Sequence, residues 1–352
     1  MDSPNSARSH LVDPGRHPGN TVDRGTAALR KASKCDFIMS TLRESFGHDP
    51  VMVDEIVDAF APVPHGVVVD ATLGGAGHTA KLLERYEWMT ILGIDRDSMA
   101  IEHAKSLASR FGERLMVQQG AFDRIPEYLA ARGIERISGA LFDLGISSPQ
   151  VDLAERGFSY RSAGPLDMRM DTTQRLSADD VVNGYDVDRL TDVIRQHSDE
   201  RFARRIAQAI VAARPVQDTA ELAAVVAAAI PAPARRTGGN PAKRTFQAIR
   251  IEVNNELSML PGALEDAINA TAVGGRVAVL SYHSGEDRIV KSVFTAAESR
   301  RQGTEASPFL HPSSERTFAR RVRAAKRPSS IEVNRNPRAA SARLRVLERV
   351  GA

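Results

Sequence analysis

Val67-Val68-Val69-Asp70-Ala71-Thr72-Leu73-Gly74-Gly75-Ala76-Gly77-His78 is a short apolar run that ends on an acid and passes directly into glycines. Three β-branched residues in a row read as a buried strand. The glycines let the backbone approach a ligand closely and leave the next helix free to present its N-terminus. A second strand, residues 90–94, ends at Asp95, where a carboxylate can accept both hydroxyls of an adenosine ribose. Gly75-Ala76-Gly77-His78-Thr79-Ala80 also satisfies the loose dinucleotide fingerprint. The loop alone therefore leaves a nicotinamide dinucleotide and S-adenosylmethionine open, beside a purely structural turn. Asp70 favours the second: at the strand tip it would repel a pyrophosphate and attract an ammonium or sulfonium.

Working outward, Pro50 precedes a helical pattern at Val53, Ile56, Val57 and Phe60. After the glycine loop a helix is expected to about Tyr86, then the strand 90–94 and a helix over 98–110. A strand over 115–118, a helical segment over 125–132 and a fourth strand over 139–142 ending at Asp143 follow. Strands alternating with helices in this way predict the doubly wound α/β class, a mostly parallel sheet with helices on both faces. From about 152 the strand-like runs stop. Ala-rich amphipathic segments over 187–196, 200–213 and 219–230 predict an inserted all-helical domain, with Ser177 and Asp180 at capping-box spacing. A helix over 246–260, a turn at Gly274-Gly275, a strand over 276–282 and a last strand over 341–350 rejoin the first sheet. Residues 1–45 have turn formers and charge but no apolar period, and read as a disordered extension. The expected division is this extension, a discontinuous sheet domain (46–151 and 244–352) and a helical substrate-recognition insert (152–243).

Composition narrows the setting. One cysteine, Cys35, rules out a disulfide framework and fits a reducing cytoplasm. No apolar run approaches the ~20 residues that span a bilayer, and the polar start has no signal-peptide core. A cytoplasmic protein with no membrane partner and no metal is expected. The formal charge is only +3, yet thirteen Arg and Lys stand against four Glu from Arg300 onward, leaving the rest slightly acidic. A basic end beside an acidic body suggests a polyanionic partner, although a solvated Arg-rich surface would read the same way.

After the fourth strand the chain runs Asp143-Leu144-Gly145-Ile146-Ser147-Ser148-Pro149-Gln150. Methyltransferases acting on exocyclic amines carry an Asn, Asp or Ser followed by Pro-Pro and an aromatic at this place. Here Asp143, Ser147, Ser148 and Pro149 match, and Gln150 and Val151 depart. A cytosine N4 lone pair is delocalised into the ring, so acceptor oxygens on its two hydrogens are needed to free it. The base must also be extruded and aligned with the methyl–sulfur bond. Ser148 and Pro149 are therefore candidate catalytic residues; Phe158, Tyr160 and Tyr282 are candidates to stack on the base. A capped turn after a strand is the plain alternative.

Five blocks carry a closer likeness: residues 143–150; Glu155-Arg-Gly-Phe-Ser159; Gly164-Pro-Leu-Asp-Met-Arg-Met-Asp171; Arg244-Thr-Phe-Gln-Ala-Ile-Arg-Ile251; and Tyr282-His-Ser-Gly-Glu-Asp-Arg-Ile-Val-Lys291. In this order they resemble the RsmH, or MraW, family, from about His48 to the end. That resemblance implies a Rossmann-like S-adenosylmethionine-dependent methyltransferase fold. It implies methylation of N4 of a decoding-centre cytidine in bacterial 16S rRNA, with the small ribosomal subunit as partner. It places cofactor contacts on Ala76, Gly77, His78, Asp95, Phe122, Asp143 and Gln150, with Ala76 where the family has glycine. Gly285 stands where the family has leucine, leaving His283, Glu286, Asp287 and Arg288 in place. His283, at the end of the fifth strand, is a third catalytic candidate, to orient base or phosphate, or else a structural histidine.

Other readings remain at this point. A DNA amino-methyltransferase would use the same acceptor chemistry, and a non-catalytic rRNA-binding assembly factor could keep the fold; a dehydrogenase is more distant. Asp167, Arg169 and Asp171 form an interdomain ion network, or Arg169 meets phosphate. Arg235, Arg236, Lys243, Arg244 and the C-terminal arginines are the better phosphate candidates, which would position RNA without reading its sequence.

Overall fold

The computed structural model describes residues 50–235, 239–302, 316–324 and 326–351. The expected extension over 1–45 and the phosphate candidate Arg236 lie outside them. Helix α1 (Val53–Phe60) leads into β1 (Val67–Asp70), α2 (Gly77–Arg85), β2 (Thr90–Asp95), α3 (Ser98–Phe111), β3 (Leu115–Gln119), α4 (Ile125–Ala130) and β4 (Ile137–Asp143). A short helix α5 (Ser148–Asp152) opens the helical insert, whose main members are α6 (Val187–Ser198), α7 (Ala203–Ala213) and α8 (Thr219–Ala229). Then α9 (Lys243–Asn254), α10 (Glu256–Ala270), β5 (Thr271–Ser281), α11 (Ser284–Ser299), β6 (Ala319–Val322), α12 (Ser330–Arg335) and β7 (Arg343–Arg349) return to the sheet.

The seven strands lie in the order β3-β2-β1-β4-β5-β7-β6. The first five are parallel, while β7 runs antiparallel to β5 and β6 antiparallel to β7. Period-two burial feeds two cores. Val69, Leu92, Ile94, Phe142, Val277 and Val279 join a core with α4, α10 and α11. Their strand neighbours Val68, Ile91, Leu141, Ala278 and Leu280 face the other way, toward α1, α2 and the start of α3's C-terminal turn. Strand order reverses between β1 and β4, which opens a crevice at their carboxyl ends.

A third core is purely helical. Leu190, Ile194, Ile206, Ile210, Leu222 and Val226 pack with Phe246, Ile249 and Val253 of α9. By packing, the helical body therefore extends past residue 243, because the apolar face of α9 is covered by α6 and its neighbours. The helix expected over 246–260 is two helices. Asn255 takes a left-handed conformation (φ 53°) that ends α9 and starts α10, a conformation that asparagine tolerates better than most residues.

The expected turn at Gly274-Gly275 is instead part of β5, where the register against β4 shifts between Ile137 and Gly139. A Cβ on Gly275 would sit 2.5 Å from the Ser138 carbonyl oxygen. Gly275→Ala is accordingly expected to cost about 1–3 kcal/mol through backbone displacement. Urea unfolding would check this, and an unchanged midpoint would mean the bulge yields freely.

Candidate active site

Three acids end three adjacent strands: Asp95 on β2, Asp70 on β1 and Asp143 on β4. Asp70 is 2% exposed; its Oδ2 accepts from Thr79 Oγ1 at 2.6 Å and its Oδ1 from the Thr72 amide. Asp95 Oδ2 accepts from the Gly74 amide at 2.7 Å and Oδ1 from the Asp97 amide at 2.9 Å. Each oxygen keeps a second lone pair for a ligand hydroxyl. Burial pushes the Asp95 carboxyl up to about 6, with Asp97 and Asp70 adding to it. Burial likewise raises Asp70 and Asp143 above the ordinary carboxylate range.

The glycine loop bends through Gly74 (φ 48°) and Ala76 (φ 54°) before α2 begins. Ala76 thus holds the left-handed geometry in which glycine is at ease, at a cost of about 1–2 kcal/mol. No side chain caps α2, so its first amides stay open toward the crevice. His78, 5% exposed, sets its Nε2 2.9 Å from the Val51 carbonyl oxygen, which can only accept, and its Nδ1 3.5 Å from Asp143 Oδ2. The other Asp143 oxygen accepts from the Tyr282 hydroxyl at 2.7 Å. Phe122 is half-buried and edge-on to Phe142, with the Arg96 guanidinium 5.9 Å from its ring centre.

The loop after β4 is tied down from both sides. Ser147 and Gln150 form a reciprocal capping box on α5, and Pro149 is buried. Gln150 Nε2 donates to Asp97 Oδ2 at 2.9 Å, and Arg156 Nη1 meets the same oxygen at 2.8 Å. Arg156 Nη2 donates to the Arg169 and Met170 carbonyls. Gln150, expected as a cofactor contact, is therefore seen holding the acceptor loop to the tip of β2. Ser148 Oγ accepts from Arg338 Nη1 at 2.6 Å, and Arg338 also pairs with Asp152.

Several expectations are relocated. His283 caps α11, its Nδ1 accepting from the Gly285 and Glu286 amides while Nε2 lies 3.1 Å from Glu286 Oε1; this is the structural alternative. Phe158 is buried in the helical core, where Tyr160 packs edge-on to Phe246. Of the three stacking candidates, Tyr282 lies against Gly145 of the loop after β4. Arg169 makes a two-pronged pair with Asp167 and donates to the Gln174 carbonyl, so the network is local to this segment. The Asp171 carboxylate accepts from the Thr173 amide and hydroxyl in its own turn. Sequence reasoning passed over Asp97 and gave Arg156 and Arg338 no role at this loop. Asp97 was legible only as the cap of α3, and Arg338 had no local signal.

A nucleoside sulfonium fits this edge. Among the described residues neither Asp70, Asp95 nor Asp143 pairs with a lysine or arginine, whereas Asp97 beside them does. Carboxylates without a lysine or arginine partner, in a site where burial raises all three, favour a cationic guest and oppose a pyrophosphate. Asp95 would hold the ribose hydroxyls, Phe122 the adenine, and Asp70 and Asp143 the positive end.

Comparison with known proteins identifies the family. Residues 45–350 match the model of the MraW methylase family. The chain is 48% identical over 310 residues to ribosomal RNA small subunit methyltransferase H of Thermobifida fusca, covering 86% of this chain and 93% of that one. It is 44% identical over 351 residues to the Mycobacterium tuberculosis protein of the same name, covering 96% and 88%. Among solved structures it is similar to an rRNA methylase from Streptococcus thermophilus at 12% identity and a TM-score of 0.37, over 85% of this chain and 94% of that one. The chain belongs to the MraW methylase family, methyltransferases that use S-adenosylmethionine.

Proposed function

We propose that this protein methylates N4 of a decoding-centre cytidine in 16S rRNA of the small ribosomal subunit, in the cytoplasm. The observation that carries the reading is the loop from Ser147 to Gln150, locked through Gln150 and Asp97 to the end of the strand whose Asp95 would hold the ribose. The names of the relatives supply the substrate class. The donor supplies an electrophilic methyl group on a positively charged sulfur.

The rest is positioning and desolvation by the chain. The loop at the β4 tip offers hydroxyl and carbonyl oxygens to the N4 hydrogens, which draws the amine lone pair out of the ring. Arg338 fixes the rotamer of Ser148 by donating to its Oγ, leaving the hydroxyl hydrogen and a lone pair for the base. Asp143 is held in place by the Tyr282 hydroxyl, which donates to it, so its carboxylate stays near the transferring group. The methylated amine is acidic and gives up its extra proton readily, so no strongly basic residue is required.

Unmodified small subunits incubated with labelled donor should gain label in one rRNA nucleoside that chromatographs as N4-methylcytidine. Label confined to protein or DNA, or in another nucleoside, would sink the proposal. Ser148→Ala is expected to lower kcat roughly tenfold and leave donor affinity unchanged by calorimetry. Equal loss of both would place Ser148 in the donor site.

A further inference from the structure

Beside the acceptor loop is a cavity of about 550 Å³ that the proposed chemistry does not use. One wall is a single face of α11, where Asp287, Arg288 and Lys291 recur at helical spacing. The other is the chain entering β7, with Arg343, and Arg327 adds a fourth cation. Tyr282 lies at its inner end and reaches Asp143 through its hydroxyl. The cavity therefore adjoins the β4 tip. Arg338, which binds Ser148, stands only a few residues before the lining segment.

The charge of this cavity is strongly one-sided. Its acid, Asp287, is engaged by the Arg345 fork at 2.8 and 3.1 Å and by Arg343 at 3.6 Å. Arg288 has only a loose pair with Asp199, 3.6 Å away and with both side chains largely exposed; such pairs are worth little. Lys291 and Arg327 form no ion pair within 4.0 Å among the described residues. Two cations without an ion pair among the described residues and two only loosely engaged ones, with few apolar side chains among them, suit a strand of phosphates better than an apolar or zwitterionic guest. The volume is in the range of an ordinary ligand pocket, enough for a nucleotide and its flanking phosphates.

We infer that this cavity is a subsite for the RNA backbone next to the target nucleotide, with Arg288, Lys291, Arg327 and Arg343 holding its phosphodiesters. The inference rests on the rRNA-methylation reading, since the strand it holds is the one whose base enters at the β4 tip. These contacts position the strand without reading its sequence, and they lie where an extruded base leaves its neighbours' phosphates.

The test uses the full chain and two probes: unmodified small subunits in a methylation assay, and a fluorescent single-stranded oligoribonucleotide in a binding assay. Lys291→Gln/Arg327→Gln is the variant. Arg85→Gln, at the far end of α2, is the control. The double variant should raise KM for subunits about tenfold and flatten the log–log salt dependence of oligonucleotide binding by about 0.7 per lost contact. Donor affinity and saturating kcat should stay within twofold of wild type. KM and salt slope equal to those of the control would overturn the subsite. If wild type leaves subunits unmethylated, the function reading fails on its own. The oligonucleotide slopes then decide the cavity: a loss confined to the double variant upholds it, and equal slopes refute it.

Discussion

Replacing Arg156 by leucine is expected to destabilise the fold by about 3–5 kcal/mol, the usual result of removing one partner from a buried ion pair. The side chain is 9% exposed and its partner Asp97 5%. Without the guanidinium, Asp97 keeps only the Gln150 amide on its Oδ2 and the Met99 amide on its Oδ1. The Arg169 and Met170 carbonyls lose a donor at the same time. Three parts of the chain meet in this knot: the β2 tip, the acceptor loop and the entry to the helical body. The loss should therefore appear in kcat as well as in the urea midpoint. Asp97→Asn in the same background removes the stranded charge and should recover part of the stability. A loss below about 1 kcal/mol for Arg156→Leu, or no recovery in the double variant, would mean that water reaches the site and the knot is not what holds the loop.

The ligand-free protein should become more stable, and bind its donor less well, as pH falls from 7 to 5. Asp95 has an ordinary value of 3.8 and is held at about 6 in the fold. Between those values the folded state binds more protons than the unfolded chain, so stability increases on acidification through 6 and is fully gained near 4. The shift corresponds to at most about 3 kcal/mol, or on the order of 3–6 °C in Tm for a chain of this size. Asp70 and Asp143, also raised by burial, act in the same direction. Asp287, held low by Arg345, loses its contribution only at more acid pH, below this window. A cationic donor reverses the sign because it needs the ionised carboxylates. Its dissociation constant should rise roughly tenfold at pH 5 if only the charged form of Asp95 binds well. Thermal unfolding with and without donor, and calorimetry at pH 5 and 7.5, would measure both effects. A flat or falling Tm in the free protein, or equal affinity at the two pH values, would show that these carboxylates are not the burial-raised group described. Asp95→Asn should abolish most of the dependence.

Stability and binding are thus opposed at the strand tips. The fold tolerates acids without a lysine or arginine partner at three neighbouring positions, His78 beside Asp143 being the nearest basic group, a cost that makes sense where a cation is to be received. Asp97 is the contrasting case, a neighbouring aspartate paired with Arg156 and tied to the loop by Gln150.

What the sequence determined by itself was local and periodic. Apolar doublets and triplets such as Val67–Val69 had to be strands, the 3.6-residue stripes of α3, α6, α7 and α8 had to be helices, and acids placed after three strands had to share one edge once the sheet was parallel. The same logic made the loop from Asp143 to Gln150 legible as a candidate site at the carboxyl edge of the sheet. Tertiary structure alone decided which distant polar atoms come within 3 Å of each other. Arg338 meets Ser148 across 190 positions of sequence, Gln150 donates to Asp97, and His283 spends its ring nitrogen on capping a helix. It also decided that Asn255 breaks one helix into two and that α9 belongs to the helical core. Side-chain periodicity is set by backbone geometry within a few residues. The partner of a polar group depends instead on how whole elements cross, and a hydrogen bond is lost with a displacement of about an ångström.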